Sequence, residues 1–333
     1  MAYFLQFVGG ISFFLYGMTV MSKSLRETAG SKMEMFLARM CRTPLRGVIF
    51  GALVTAAIQS SSATTVMVVG VVNAKLMTLR QAVGVIMGAN LGTTITAWLL
   101  SLSGVSGNAP LLRILKPEAL SPLLAAAGVI LLLAGKQEKI QHIGTGLCSF
   151  GILFAGMEAM SNAVSPLADN PEFSRILTLF TNPVAGILAG AVLTAIIQSS
   201  SASIGILQAL TTIGVVKLGM AVPIIMGQNI GTCITAMLSG IGAERNAKRA
   251  AFVHLYFNVA GTVILLLVFY LLQFFGVLSA DLIINEGGVA LIHTVFNVAT
   301  TAILLPFYKI LLRAAIATVP DARGEDAESK KTA

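Results

Sequence analysis

The feature that most constrains this chain is a long internal repeat within an almost entirely apolar sequence. Residues 49–102 align with residues 188–241 at a constant offset of 139 without a gap, and 23 of the 54 aligned positions are identical. The strings IQSSSA and IMGxNxGTxITA occur in both copies. Because self-similarity of this length indicates that one structural unit is used twice, we predict two halves with the same helices and the same polar interruptions.

The composition places both halves in a membrane. Hydrophobic residues make up 56% of the 333 residues and charged residues only 11%, whereas charged residues form about a quarter of a soluble domain. A spanning helix needs about 20 apolar residues, so the chain has room for about 8 to 12 membrane segments. We predict an all-α polytopic membrane protein, and this composition excludes soluble enzymes, nucleic-acid binders and disulfide scaffolds.

The distribution of charge indicates that the two halves are inverted. Residues 23–46 carry six basic and two acidic side chains, a net charge of +4, whereas the equivalent residues 162–185 carry one basic and two acidic side chains, a net charge of −1. Because cytoplasmic loops are enriched in Lys and Arg, the first stretch is predicted inside and the second outside. Two inverted-topology repeats are typical of secondary transporters.

The same rule predicts a multi-pass topology with the N-terminus outside and the C-terminus in the cytoplasm. Each half should contain a re-entrant helical hairpin followed by a broken transmembrane helix, which is interrupted at 90–93 in the first half. An amphipathic stretch should lie along the inner surface over residues 24–42, after a first helix over 3–21. The predicted domains are a first membrane repeat over 1–135, a second repeat with a final transmembrane helix over 136–313, and a disordered cytoplasmic tail over 314–333.

The polar block Gln-Ser-Ser-Ser occurs at residues 59–62 and again at 198–201, inside strongly apolar surroundings. Unsatisfied polar groups are costly in lipid, and four consecutive polar side chains cannot share one face of a helix. We interpret each block as an unwound tip between two half-helices, where hydroxyls and helix ends can hold an anion beside a cation. The alternative is that the serines bond back to their own helix or join neighbouring helices.

Glycines flank Asn90 and Asn229 in the middle of two predicted spans, and hydroxyl residues follow each asparagine. Glycine on both sides favours a local break, and neutral oxygen ligands suit a hard cation such as sodium. The predicted sodium-binding residues are Gln59, Asn90, Thr93, Thr94, Gln198, Asn229, Thr232 and Thr235. The alternative interpretation is that the glycines let two helices pack closely.

A shorter repeat relates residues 251–266 to residues 290–305 and places a histidine one turn before an asparagine in each copy. We expect His254, Asn258, His293 and Asn297 to support the broken helices through interhelical hydrogen bonds, although this helix face could also reach the substrate path. No Cys or carboxylate has matching spacing, so sodium is the only metal expected. Glu158 lies within a predicted span and is a functional candidate for that reason.

The paired QSSS blocks, the IMGxNxGT segments and the His-x-x-Phe-Asn motifs at 254–258 and 293–297 resemble the sodium/phosphate cotransporter family, the bacterial relatives of type II transporters. The resemblance implies sodium-coupled symport of inorganic phosphate in a bacterial cytoplasmic membrane, with the QSSS regions forming the substrate and sodium sites. The serines expected to bind the substrate are Ser60, Ser61, Ser62, Ser199, Ser200 and Ser201. Many bacterial members resemble this core followed by a cytoplasmic PhoU-like domain, whereas here only a short charged segment follows.

The leading hypothesis is a symporter that moves phosphate inward with sodium by alternating access. Neither polar block contains a basic residue, so helix ends and bound sodium must offset the charge of the anion. Phosphate, sodium and membrane lipid are the expected partners, with no nucleic acid, no cofactor besides the coupling ions and no catalytic group. Two alternatives remain open: a sodium-coupled transporter of another oxyanion or small carboxylate, and a non-transporting membrane sensor or scaffold.

Overall fold

The computed structural model describes residues 2–29, 41, 43–102, 117–164 and 179–321. In these ranges the chain is built from α-helices, which we number in chain order. They are α1 Ala2–Ala29, α2 Pro44–Ile58, α3 Ser61–Asn73, α4 Leu79–Ser101, α5 Pro117–Ala134, α6 Glu138–Val164, α7 Pro183–Ile197, α8 Ser200–Thr211, α9 Leu218–Ser239, α10 Arg245–Phe274, α11 Glu286–Leu304 and α12 Tyr308–Thr318. Among the described helices α1, α4, α6, α9, α10 and α11 are long and apolar enough to cross a membrane. The predicted all-α membrane fold is therefore confirmed.

In the first half, α2 and α3 form the predicted re-entrant hairpin. Helix α2 runs parallel to α4, because Gly47 packs against Gly84 and Gly88 packs against Val48. Helix α3 then returns, and the residues at its end share a cleft with the first residues of α4 and α10. The hairpin therefore begins and ends at the end of the bundle where α10 starts. Its tip, with Gln59 and Ser61, is buried within the bundle.

The second half repeats this packing from the other end of the bundle. Helix α7 runs parallel to α9, with Gly227 packed against Ile187 and Gly231 against Ala191. However, α9 begins beside the segment that joins α10 to α11, where the Leu218 backbone N–H donates to the Leu282 carbonyl at 2.8 Å. Helix α4 thus starts where α10 starts, whereas α9 starts where α10 ends.

The predicted interruptions in the helices after each hairpin are wrong. Helices α4 and α9 run without a break through Asn90 and Asn229. The glycines serve close helix packing instead, because a Cβ atom on Gly88 would collide with the carbonyl oxygen of Val48, and one on Gly227 with that of Ile187. The alternative interpretation of these glycines is therefore the correct one.

Two boundaries in the structure also differ from the predicted ones. Helix α1 continues to Ala29, past the predicted end at residue 21, and packs along α6 through Gly10, Gly17 and Gly156. The predicted start of a disordered tail at residue 314 falls inside α12, which is helical to Thr318. Most of the amphipathic stretch predicted after α1, and the last part of the predicted tail, lie outside the described residues.

Candidate functional site

Each QSSS block forms a sharp tip between two helices. Gln59 ends α2 and Gln198 ends α7, both in the left-handed conformation, with φ of 59° and 58°. Ser60 and Ser199 are extended and cap α3 and α8, and each hydroxyl accepts a hydrogen bond from the backbone N–H three residues later, at 3.1 and 3.2 Å. The predicted break within each polar block is confirmed.

The two tips contact each other. The hydroxyl of Ser62 donates to the backbone carbonyl of Gln198 at 3.1 Å. Helices α3 and α8 both begin at this contact, so the first backbone N–H groups of two helices gather in one place. Free N–H groups and the positive end of the dipole make a helix N-terminus attractive to anions. Two half-sites from distant parts of the chain therefore build one region that favours negative charge.

The serines of the tips differ in what they bind. Ser60 caps its own helix, and Ser62 spans the contact between the tips. Ser61, Ser200 and Ser201 are each 4% exposed, and their hydroxyls make no hydrogen bond with other described residues. These three hydroxyls are consequently the ones available to a ligand.

Side chains hold the first tip in place. Gln59 accepts a hydrogen bond from the Thr96 hydroxyl on α4 at 2.8 Å, and its amide donates to the carbonyl of Ala56 at 2.6 Å. Below the tip, the hydroxyls of Thr55 and Thr64 bond to each other at 2.9 Å across the hairpin. The first hairpin is thus tied both to itself and to the neighbouring long helix.

The second tip lacks these ties. The side chain of Gln198 is exposed, and Thr235, the equivalent of Thr96, donates to the carbonyl of Thr232 within its own helix at 2.9 Å. The hydroxyls of Thr194 and Ser203, which correspond to the bonded pair in the first hairpin, are buried without a hydrogen-bond partner among the described residues. The two half-sites therefore share a backbone and differ in their side-chain bonds.

The predicted sodium ligands on α4 and α9 mostly bond within their own helices. Asn90 is the exception, with its oxygen 3.3 Å from the His254 ring on α10. Thr93, Thr94 and Thr232 donate to carbonyls three or four residues earlier at 2.7 to 3.1 Å. A hydroxyl that donates its proton keeps its lone pairs, so these oxygens can still coordinate a cation.

The four predicted supporting residues are fully buried on α10 and α11. Asn258 donates to the Cys233 sulfur on α9 at 3.3 Å and to its own helix at 3.0 Å. Asn297 donates to the carbonyl of His293 at 2.9 Å. Interhelical bonding is thus seen for His254 and Asn258, whereas the His293 ring has no partner in the described structure. The helices that these residues contact are continuous and not broken as predicted.

Two glutamines that were not predicted from the sequence occur in the second half alone. Gln208 donates to the carbonyls of Ala97 and Glu286, each at 3.0 Å, and so joins α8 to α4 and α11. Gln228 donates to the carbonyl of Ser203 at 2.9 Å. Aligned positions in the first half hold apolar residues, so a search for shared residues overlooks them, whereas a search for differences between the copies would find them.

Charged groups are scarce around the tips. No Lys or Arg occurs between residues 47 and 74 or between residues 184 and 216. Across the described ranges, no three His, Cys, Asp or Glu side chains gather into a group that could hold a metal. Glu158 lies on an exposed face of α6. The polar region at the tips is therefore neutral, made of hydroxyls, amides and helix ends.

Comparison with known proteins gives a consistent result. The profile of the Na⁺/Pi-cotransporter family matches residues 13–162 and again residues 155–292. "Uncharacterized protein YqeW" of Bacillus subtilis (strain 168) is 32% identical over 263 residues, which cover 79% of this chain and 81% of that protein. "Putative inorganic phosphate export protein YjbB" of Escherichia coli (strain K12) is 27% identical over 263 residues, 79% of this chain and 46% of that protein.

A shorter match joins the chain to a human protein. "Sodium-dependent phosphate transport protein 2B" of Homo sapiens is 36% identical over 100 residues, which cover 29% of this chain and 14% of that protein. The chain spans about half the length of the Escherichia coli relative. No solved structure matches the chain significantly. The family profile covers both repeats and most of the chain, and this family consists of transporters and not enzymes. The chain therefore belongs to the Na⁺/Pi-cotransporter family.

Proposed function

We propose that this protein is a sodium-coupled symporter of inorganic phosphate that works by alternating access. Membership of the family supports phosphate as the transported solute and sodium as the coupling ion. The observation that carries the proposal is the hydrogen bond from Ser62 to the carbonyl of Gln198, which joins the two tips. This contact joins two tips that carry helix N-termini and serines, in a neutral region where Ser61, Ser200 and Ser201 are buried.

The tips suit an oxyanion because they offer donors without a fixed positive charge. Ser61, Ser200 and Ser201 would donate to phosphate oxygens, together with the first N–H groups of α3 and α8. Ser60 and Ser199 would complete the set of donors, while Ser62, which donates its proton to the Gln198 carbonyl, would hold the two tips together. Hydrogen bonds to a charged group are stronger than those to neutral ones. The site would therefore bind phosphate through many donors at once.

Sodium is needed to balance the charge of the anion. Two helix N-termini together contribute about one positive charge, which is less than the charge of a phosphate dianion. No lysine or arginine occurs between residues 47 and 74 or between residues 184 and 216 to supply the rest. Amide and hydroxyl oxygens are ligands for hard cations. We assign sodium positioning to Gln59, Asn90, Thr93, Thr94, Gln198, Asn229, Thr232 and Thr235, with Thr96 orienting the first glutamine.

The opposite directions of the two hairpins support the proposal of alternating access. We infer that residues 1–135 and 136–313 are inverted repeats about an axis in the membrane plane, with the N-terminus outside and the C-terminus in the cytoplasm. The contacts that support this relation are those that set α4 and α9 at opposite ends of α10. Rocking of one repeat against the other would open the tips to each side in turn.

The experiment is uptake by purified protein in proteoliposomes. An inward sodium gradient should drive labelled phosphate inward, and a matched potassium gradient should not. Competition by sulfate, arsenate and small carboxylates then tests the alternative substrate class. Absence of solute movement under every ion gradient would favour a sensor or scaffold and would overturn the transport proposal.

Export is the second candidate, and the name of the Escherichia coli relative favours it. A symporter moves phosphate in the direction of the sodium gradient, so reversal of that gradient should reverse the flux. Phosphate efflux that continues against an opposing sodium gradient would instead support an exporter that is driven in another way.

A further inference from the structure

A basic cleft lies at the end of the bundle where α10 begins. Its volume is about 560 Å³, and it is formed by the end of α3, the start of α4, the start of α10 and one side of α12. Thr96, which contacts the first tip, is 17 residues along α4 from Leu79, or about 25 Å at 1.5 Å per residue. The cleft is therefore separate from the proposed transport site.

Basic side chains outnumber acidic ones in the cleft. Those that line it are Lys75, Arg80, Arg249, Lys309 and Arg313, with Glu244 as the acidic one. Glu244 pairs with Lys75 at 3.3 Å. Arg249 is 5% exposed and pairs with Asp321 at 2.6 Å. Two of the cations are thus neutralised by this chain itself, and three are not.

The three remaining cations face the same opening. Arg80 lies over the ring of Tyr308, 5.8 Å from its centroid. Lys309 and Arg313 lie one turn apart on α12, so they share a side of that helix. All three side chains are exposed, and no carboxylate in the described part of the chain lies within ion-pair distance of them. Three like charges that lie close together repel one another, and a bound anion would relieve that repulsion.

The side chains of α12 indicate that this opening lies at a membrane surface. Leu311 and Ala315 are buried against the bundle, while Phe307 and Ile310 are 57% and 60% exposed beside the basic residues. A short helix with exposed apolar and basic side chains is typical of a membrane surface. The cleft also has apolar walls. They are formed by Val72, Met77, Leu79, Leu312 and Ile316. Its occupant therefore needs both an anionic group and an apolar one.

We propose that this cleft binds an anionic phospholipid, with the phosphoryl group against Arg80, Lys309 and Arg313 and an acyl chain along the apolar walls. Basic pockets between transmembrane helices on the cytoplasmic side bind anionic headgroups, and this end of the bundle is the one predicted to be cytoplasmic. Free phosphate has the same phosphoryl chemistry but no part that would fill the apolar side. The proposal does not depend on which solute the protein transports.

The test uses purified full-length protein in detergent, titrated with short-chain phosphatidylglycerol, short-chain phosphatidylcholine or inorganic phosphate. Binding is measured as the rise in thermal unfolding temperature and as an apparent Kd. The double variant Lys309→Gln/Arg313→Gln should lose about 30-fold in affinity for phosphatidylglycerol, which is about 2 kcal/mol at 1.4 kcal/mol per factor of ten. Lys136→Gln/Lys139→Gln removes two exposed charges outside the cleft and should bind as the wild type does.

Arg80→Gln provides an independent variant on a different helix if the double variant does not fold, and it should lose about 5-fold in affinity. Equal binding of phosphatidylglycerol by the cleft variants and the control would overturn the proposal. So would equal stabilisation by phosphatidylglycerol and phosphatidylcholine. Stabilisation by inorganic phosphate that matches phosphatidylglycerol and disappears in the cleft variants would replace the lipid with a free anion.

Discussion

The two hairpins of this protein have the same backbone but are held by different bonds. Both tips turn at a left-handed glutamine and restart at a capping serine. In the first, Gln59 is held by Thr96, whereas in the second Gln198 is exposed and Thr235 bonds within its own helix. Identical residues thus acquire different partners, because the surrounding helices differ between the halves.

Because of this difference, we expect the two half-sites to have different roles in ion binding. A glutamine that is already hydrogen-bonded presents a fixed oxygen, while an exposed one is free to change rotamer. Under the proposed mechanism, the first half-site would be preorganised and the second would adapt when ions bind. The serines that have no partner occur in both tips, so both should contribute to anion binding.

The largest expected effect comes from the serines that the tips leave unbonded. Ser61→Ala and Ser200→Ala each remove a donor to a charged ligand, a loss of about 1.5–3 kcal/mol or about 10- to 100-fold in phosphate uptake. Ser149→Ala is the control, because that buried hydroxyl bonds only to the Thr145 carbonyl of its own helix. Uptake by proteoliposomes with matched amounts of folded protein measures the effect. Wild-type uptake by both tip variants would remove the serines from the site.

A substitution in the glycine contacts of the hairpins should lower the stability of the protein equally in both halves. Gly88→Ala and Gly227→Ala each insert a methyl group against a backbone carbonyl, so we expect a loss of about 1–3 kcal/mol in stability. Thermal unfolding in detergent should detect it as a lower Tm for both variants. Gly70→Ala is the control, since no atom lies within 4 Å of the added carbon. An effect in one half alone would show that the two hairpins pack differently after all.

The hydrogen bond that holds Gln59 has no equivalent in the second half, and its loss should weaken sodium binding. Thr96→Val removes the hydroxyl that holds this glutamine, so the sodium concentration for half-maximal uptake should rise about 5-fold, equivalent to about 1 kcal/mol. Sodium titration of phosphate uptake measures this value. Thr145→Val removes a hydroxyl that bonds only within α6 and serves as the control. An unchanged sodium dependence would mean that the preorganised glutamine does not position the ion.

The smallest expected effect concerns the hydroxyl pairs below the tips. A double-mutant cycle of Thr55→Val and Thr64→Val should give a coupling energy of about 0.6 kcal/mol, typical of hydrogen bonds inside membrane proteins. The equivalent cycle of Thr194→Val and Ser203→Ala should give about zero, because those hydroxyls lack partners. Unfolding free energies of the purified variants measure both. Equal coupling in the two cycles would contradict the asymmetry of the half-sites.

The sequence alone determined the membrane location, the use of one unit twice and the position of each QSSS break. These features depend on local chemistry: apolar runs of fixed length, an exact offset between copies, and polar groups that a continuous helix in lipid would leave unsatisfied.

Only the tertiary structure decided what the glycines and the glutamines do. Glycines around Asn90 and Asn229 are compatible with a break or with close packing, and the neighbouring hairpin helix selects packing by bringing its carbonyls against them. Gln59 and Gln198 occupy identical local sequences, yet Thr96 reaches the first of them and Thr235 does not reach the second. Contacts between helices far apart in the chain have no local signal, because they depend on how the whole bundle fills space.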